Sequence, residues 1–104
     1  MKEIFLCLLT ELDGSEYLIK FIEELKDEII VFRDRQSGEI NVFSSVCPHF
    51  GGPLVLKDNV LFCKWHSYEF SKSSGNCISH KLKLTALKYK TVIKQNQVLI
   101  EAYE

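Results

Sequence analysis

The chain has no excess of charge of either sign: thirteen Lys and Arg against fourteen Asp and Glu leave a formal net charge of −1. General binding to nucleic acid or to a membrane surface favours a strong positive excess, so the composition argues against both. Long apolar runs are missing as well. Residues 4–9 are six apolar residues closed in by Glu3 and Thr10, far short of the roughly 18 needed to span a bilayer. No small-residue cleavage site follows them, so the segment reads as a first β-strand and not as a secretory signal. Internal repeats, low-complexity tracts and linkers are lacking too, and 104 residues suit a single domain, 1–104. Without an export signal the expected compartment is cytoplasmic and reducing, and the four cysteines are not to be paired into disulfides by default.

What is present is an ordinary globular balance, 46% apolar and 26% charged. The small net charge hides an asymmetry: residues 1–46 hold ten acids and five bases, residues 47–104 four acids and eight bases. The apolar positions favour strands. IIVFR at 29–33 and EINVFSSV at 39–46 flank the turn DRQSG, a hairpin signal. VLFC at 60–63 follows the turn 57–59, and TVIKQNQVLIEAY folds back around 95–97. Residues 16–28 contain good helix formers, yet β-rich neighbours on both sides favour a strand over 17–22, a turn near 25–28 and a strand from Ile29. The fold class is therefore all-β.

Two stretches carry chemistry. CPHFGG at 47–52 sets Cys47 and His49 two positions apart on a glycine turn, and CKWH at 63–66 sets Cys63 and His66 three apart after a strand. Thirteen residues separate the pairs. Facing each other, the loops offer two soft sulfurs and two borderline nitrogens. Buried bystander thiols, a Cys47–Cys63 disulfide, or a structural zinc held by Cys2His2 are each open on the residues alone.

CPHFGGPL followed by CKWHSYEF and SGNC resembles the cluster-binding region of Rieske-type [2Fe–2S] proteins, above all the low-potential ferredoxins that serve ring-hydroxylating dioxygenases. The resemblance implies a Rieske fold of antiparallel sheets, with a cluster-binding subdomain over about 45–78 formed by two loops. It implies one [2Fe–2S] cluster per chain, Cys47 and Cys63 on one iron, and His49 and His66 on the other through Nδ1 with Nε2 toward solvent. Two imidazoles in place of two thiolates raise the potential above that of all-cysteine ferredoxins, because the added electron enters a neutral site. The high-potential branch has a disulfide cysteine in each loop; those positions here are Gly52 and Trp65. Its hydroxyl donors to the cluster would fall at Tyr68 and Phe70. The resemblance therefore implies a potential toward the bottom of the roughly −150 to +300 mV range. Gly51 and Gly52 would let backbone N–H groups reach the sulfurs. Departures are Lys64 where proline is common, Ser67 where glycine is common, and Ser79–His80–Lys81 in place of a proline-bearing segment.

The implied role is a one-electron carrier between a flavin-dependent reductase and a terminal oxygenase or other oxidoreductase. Oxygenase catalysis in one chain would require a second iron on two histidines and a carboxylate. With three histidines in all, only His80 is left over, and it reads as a surface residue. An accessory subunit like the small subunit of nitrite reductases, or a zinc-stabilised interaction module, are the alternatives. Cys7 and Cys77 read as buried core or neighbouring thiols.

Overall fold

The apolar run IIVF fills the middle of β3 (Asp27–Arg33), and all four of its residues are fully buried. Strands with one wet face alternate, so an unbroken run means that both faces are covered. Ile29 and Val31 join one core with Ile4, Leu6, Ile22, Val42, Val98 and Ile100. Ile30 and Phe32 face the other way, into a second core with Phe43, Leu54, Leu61 and Phe70. The neighbouring strand β4 (Ile40–Ser44) divides in the same way, Val42 to the first core and Phe43 to the second.

A computed structural model describes residues 2–65 and 67–102. Besides β3 and β4, the larger sheet holds β1 (Lys2–Leu8), β2 (Leu18–Ile22), β8 (Lys88–Lys94) and β9 (Gln97–Ala102), in the order β1-β9-β8-β4-β3-β2. All its pairings are antiparallel. The sheet curls so far that Lys20 of one edge strand donates to the Leu6 carbonyl of the other at 2.7 Å. β5 (Leu54–Lys57), β6 (Val60–Cys63) and β7 (Glu69–Phe70) make a second, smaller antiparallel sheet. This is the all-β architecture expected, with almost no helix; a 3₁₀ turn, Leu9–Leu12, follows β1.

Local chemistry sets the details. The Asp58–Asn59 and Gln95–Asn96 turns have positive φ at both residues, the mirror-image geometry that matches strand twist in two-residue hairpins. A bulge between Phe5 and Cys7 turns Leu6 and Cys7 both inward, which buries the Cys7 thiol completely. The first strand ends at Leu8, one residue early, because the Glu11 carboxylate takes the Leu8 N–H and starts the 3₁₀ turn. Residues 16–28 are strand–turn–strand, but the turn falls at 23–26, two residues earlier than expected. Ile22 pairs with Asp27, so β3 starts before its apolar run. The short strands β5 and β7 carry no alternation long enough to announce themselves in the sequence.

Lys72, past the end of β7, joins the two sheets. Its ammonium lies 3.1 Å from Asp34 Oδ1 at the β3–β4 turn and also meets the Asn59 side chain. Its carbonyl accepts from Asn41 Nδ2 at 3.2 Å. The Gln36 backbone N–H and then the Lys72 ammonium hold the Asp34 carboxyl below its ordinary value.

Candidate metal centre

Cys47 and His49 lie on a loop leaving the second core, and Cys63 ends β6 where the next loop begins. The first loop connects β4 to β5 and is closed by a Val46–Pro53 bridge. Inside it the Cys47 N–H donates to the Gly52 carbonyl at 2.8 Å, and the Gly51 N–H to the Cys47 carbonyl at 2.9 Å. The second loop connects β6 to β7, with the Cys63 N–H on the Tyr68 carbonyl at 2.8 Å. The Lys64 N–H donates across to the Pro53 carbonyl at 3.2 Å, which sews the loops together.

The loops bring Cys47 and Cys63 side by side, each 1% exposed and both free thiols. Burial pushes the Cys63 thiol up, the Trp65 N–H on its sulfur pulls it down, and the hydrogen-bonded Cys47 thiol raises it again. Cys47 Sγ in turn receives the His49 N–H at 3.4 Å. In each loop the N–H two residues after the cysteine reaches its sulfur. The Gly51 N–H, expected on sulfur, is instead held by the Cys47 carbonyl as the turn closes. Gly51 adopts φ +74°, and a Cβ on Gly52 would come within 2.8 Å of Trp65 and 3.0 Å of Cys63 Sγ. Conformation requires the first glycine; space requires the second.

His49 is half-buried, with its backbone N–H on the Cys47 sulfur. Its ring stacks on Tyr68 with centroids 4.0 Å apart, and Phe50 lies against it at 3.9 Å. The Tyr68 hydroxyl is 3.0 Å from His49 Nε2. The expectation of Nε2 facing solvent is therefore corrected, because Tyr68, 8% exposed, turns back over the ring. His66 lies outside the described residues. Among the described residues no three Cys, His, Asp or Glu side chains form a group able to hold a metal ion.

The family model for the Rieske [2Fe-2S] domain matches residues 2–90. The chain belongs to this family. Its cofactor is a [2Fe–2S] cluster, and the residues present fit one: two adjacent buried thiols, not joined as a disulfide, with backbone N–H donors on the sulfurs. The chain is 31% identical over 65 residues to cholesterol 7-desaturase nvd 1 of Ciona intestinalis, a match covering 59% of this chain and 13% of that protein. It thus spans about an eighth of that relative's length. The Rieske protein PetC3 of the plasma membrane of Synechocystis PCC 6803 superposes with a TM-score of 0.79 at 19% identity, over 98% of this chain and 100% of that one. The Sphingomonas yanoikuyae B1 ferredoxin gives the same TM-score, identity and coverage. At such identities the likeness is one of fold.

Seen as a Rieske domain, several substitutions acquire reasons. Ser67, where glycine is common, keeps the left-handed backbone at φ +56°. Trp65, half exposed at 52%, packs over the Gly52 backbone. Phe70 is fully buried in the second core and offers no hydroxyl. The contact sequence reasoning missed is Tyr68 on His49. No spacing rule announces it, because it depends on where the β6–β7 loop turns. Among the described residues no helix is long and apolar enough to cross a membrane.

Proposed function

We propose that the chain is a one-electron carrier in which Cys47 and Cys63 hold one iron of the cluster and His49 and His66 hold the other. The observation that carries this reading is the buried pair of free thiols with backbone N–H groups on their sulfurs. A lone thiolate is costly there, and iron would offset that cost. The cluster, when bound, supplies one-electron chemistry. The protein's share is to exclude water from the sulfurs, to donate the His49 and Trp65 N–H groups to them, and to offer His49 through Nδ1 while Tyr68 engages Nε2.

Residues 1–104 form a single Rieske domain in this reading, with its cluster-binding subdomain over about 45–78. The donor of electrons is a flavin-dependent reductase; the acceptor is a terminal oxygenase or related oxidoreductase, in the cytoplasm. The potential is low, since the Tyr68 hydroxyl is on His49 and Phe70 has none.

Similarity to a cholesterol desaturase favours a second reading, in which these residues serve as the Rieske portion of a larger oxidoreductase. In that case the acceptor site belongs to other residues than these.

Purification under anaerobic conditions tests the proposal. A red-brown protein with two irons and two sulfides, bleached by dithionite, is expected, and Cys47→Ser or His49→Ala should lose that colour. A colourless protein holding one zinc overturns the assignment. Reduction by a flavin reductase with no onward transfer to any oxygenase would favour the second reading.

A further inference from the structure

The segment following β7 is pinned back onto that strand. Ser79 Oγ accepts the Glu69 N–H at 2.8 Å, the Ile78 N–H donates to the Glu69 carbonyl at 2.9 Å, and Phe70 bridges Cys77. A tight turn follows, with the Leu82 N–H on the His80 carbonyl at 2.8 Å. So held, the segment lays His80 flat on Tyr68, with centroids 3.8 Å apart and planes 6° apart. The His49 ring lies 4.0 Å from the same tyrosine at 21°. Two near-parallel rings this close to a third must occupy its two faces. Tyr68 is thus clamped between two imidazoles.

The hydrogen bonds give the clamp a direction. The Ser79 hydroxyl accepts from Glu69, which leaves its own proton for His80 Nδ1 at 2.6 Å. That contact fixes the His80 ring about its side-chain axis. At the other end of the stack the Tyr68 oxygen lies 3.0 Å from His49 Nε2. The tyrosine hydroxyl can accept from that nitrogen or donate to it, so the contact holds the ring in either proton form.

We propose that His80 is a positioning residue for His49, acting through Tyr68 to fix the plane of that ring. The inference rests on His49 being an iron ligand, as argued above. His80 touches no ligand atom itself. It closes the open face of Tyr68, which would otherwise be free to swing away from His49 into solvent. Sequence reading gave His80 as a surface residue with a role at the cluster edge open; it is exposed, and nothing in its spacing ties it to His49, thirty-one positions away.

Two variants test this. His80→Ala removes the ring; His80→Phe keeps the stacked face and loses the nitrogens. In the loaded protein, His80→Ala should speed loss of iron to a chelator about two- to tenfold, the worth of one aromatic pair, and His80→Phe should restore most of it. In the iron-free protein, proton NMR should show the His49 ring signals shifted by the Tyr68 ring in the wild type and moved toward free-histidine positions in His80→Ala, with His80→Phe close to wild type. Unchanged iron loss and unchanged His49 ring shifts in His80→Ala would overturn the proposal, as would a failure of His80→Phe to rescue. If the wild type holds no iron–sulfur cluster, the ligand assignment fails instead, and the iron-free spectra still decide whether the clamp exists.

Discussion

Gly52 is the residue with the least room. A side chain there would meet the Trp65 ring at 2.8 Å and Cys63 Sγ at 3.0 Å, and neither can retreat without opening the thiol pocket. Gly52→Ala is expected to cost about 1–3 kcal/mol by overpacking. Thermal melting of the loaded protein measures it; a melting point unchanged from wild type would mean that Trp65 moves aside freely. Gly51→Ala would fail for another reason, its φ of +74°. A sequence shows two glycines in a row and the value of a flexible turn. It does not show that one is chosen for conformation and the other for a tryptophan thirteen residues away. That Cys47 and Cys63 meet was legible, because two thiols each followed closely by an imidazole suggest one shared site. The grip of Tyr68 on His49 was not, since it depends on a side chain turning back across a loop.

Among the elements, the join between the two sheets rests on Lys72 and Asp34, 3.1 Å apart with side chains 12% and 10% exposed. Fold-held Asp34 has its carboxyl below the ordinary 3.8, through the Gln36 N–H first and Lys72 second. A depressed carboxyl contributes stability that is fully present above its unfolded value and is lost as pH falls through the folded one. Urea unfolding should therefore show this contribution intact at pH 6 and fading below about pH 4. Asp34→Asn should lower the midpoint at pH 6 and converge on wild type in acid. Parallel curves at both pH values would show that the pair does not couple the sheets. The hairpin that presents Asp34 was plain from DRQSG between two apolar runs. Its partner was not: Lys72 is one of eight bases in the second half of the chain, and nothing local distinguishes it.

At the scale of the whole molecule, folding redistributes the charge. The acidic first half and basic second half are interleaved: Lys94 pairs with Glu3 at 2.9 Å, and Lys72 with Asp34. Lys64, Lys81 and Lys83 remain exposed on the two segments beside His49 and Tyr68. Oxidation of the reduced protein by ferricyanide, a small anion, should therefore slow a few-fold as the screening length falls from about 30 to 10 Å between 0.01 and 0.1 M salt. Reversing Lys81 and Lys83 to glutamate should abolish or invert that dependence, as read by stopped-flow absorbance. Salt dependence surviving the reversal would place the attraction elsewhere.

The all-β class, the two hairpins and both cysteine-bearing loops followed from residue pattern, because alternation, turn chemistry and paired Cys and His spacings act over a few neighbouring positions. Tertiary structure alone decided what depends on distant contacts. It split β3 and β4 between two cores, turned Tyr68 onto Nε2 of His49, and laid His80 against the tyrosine's other face. Each of these depends on contacts between residues distant in sequence, made by sheet packing for the two cores and by the segment pinned to β7 for His80.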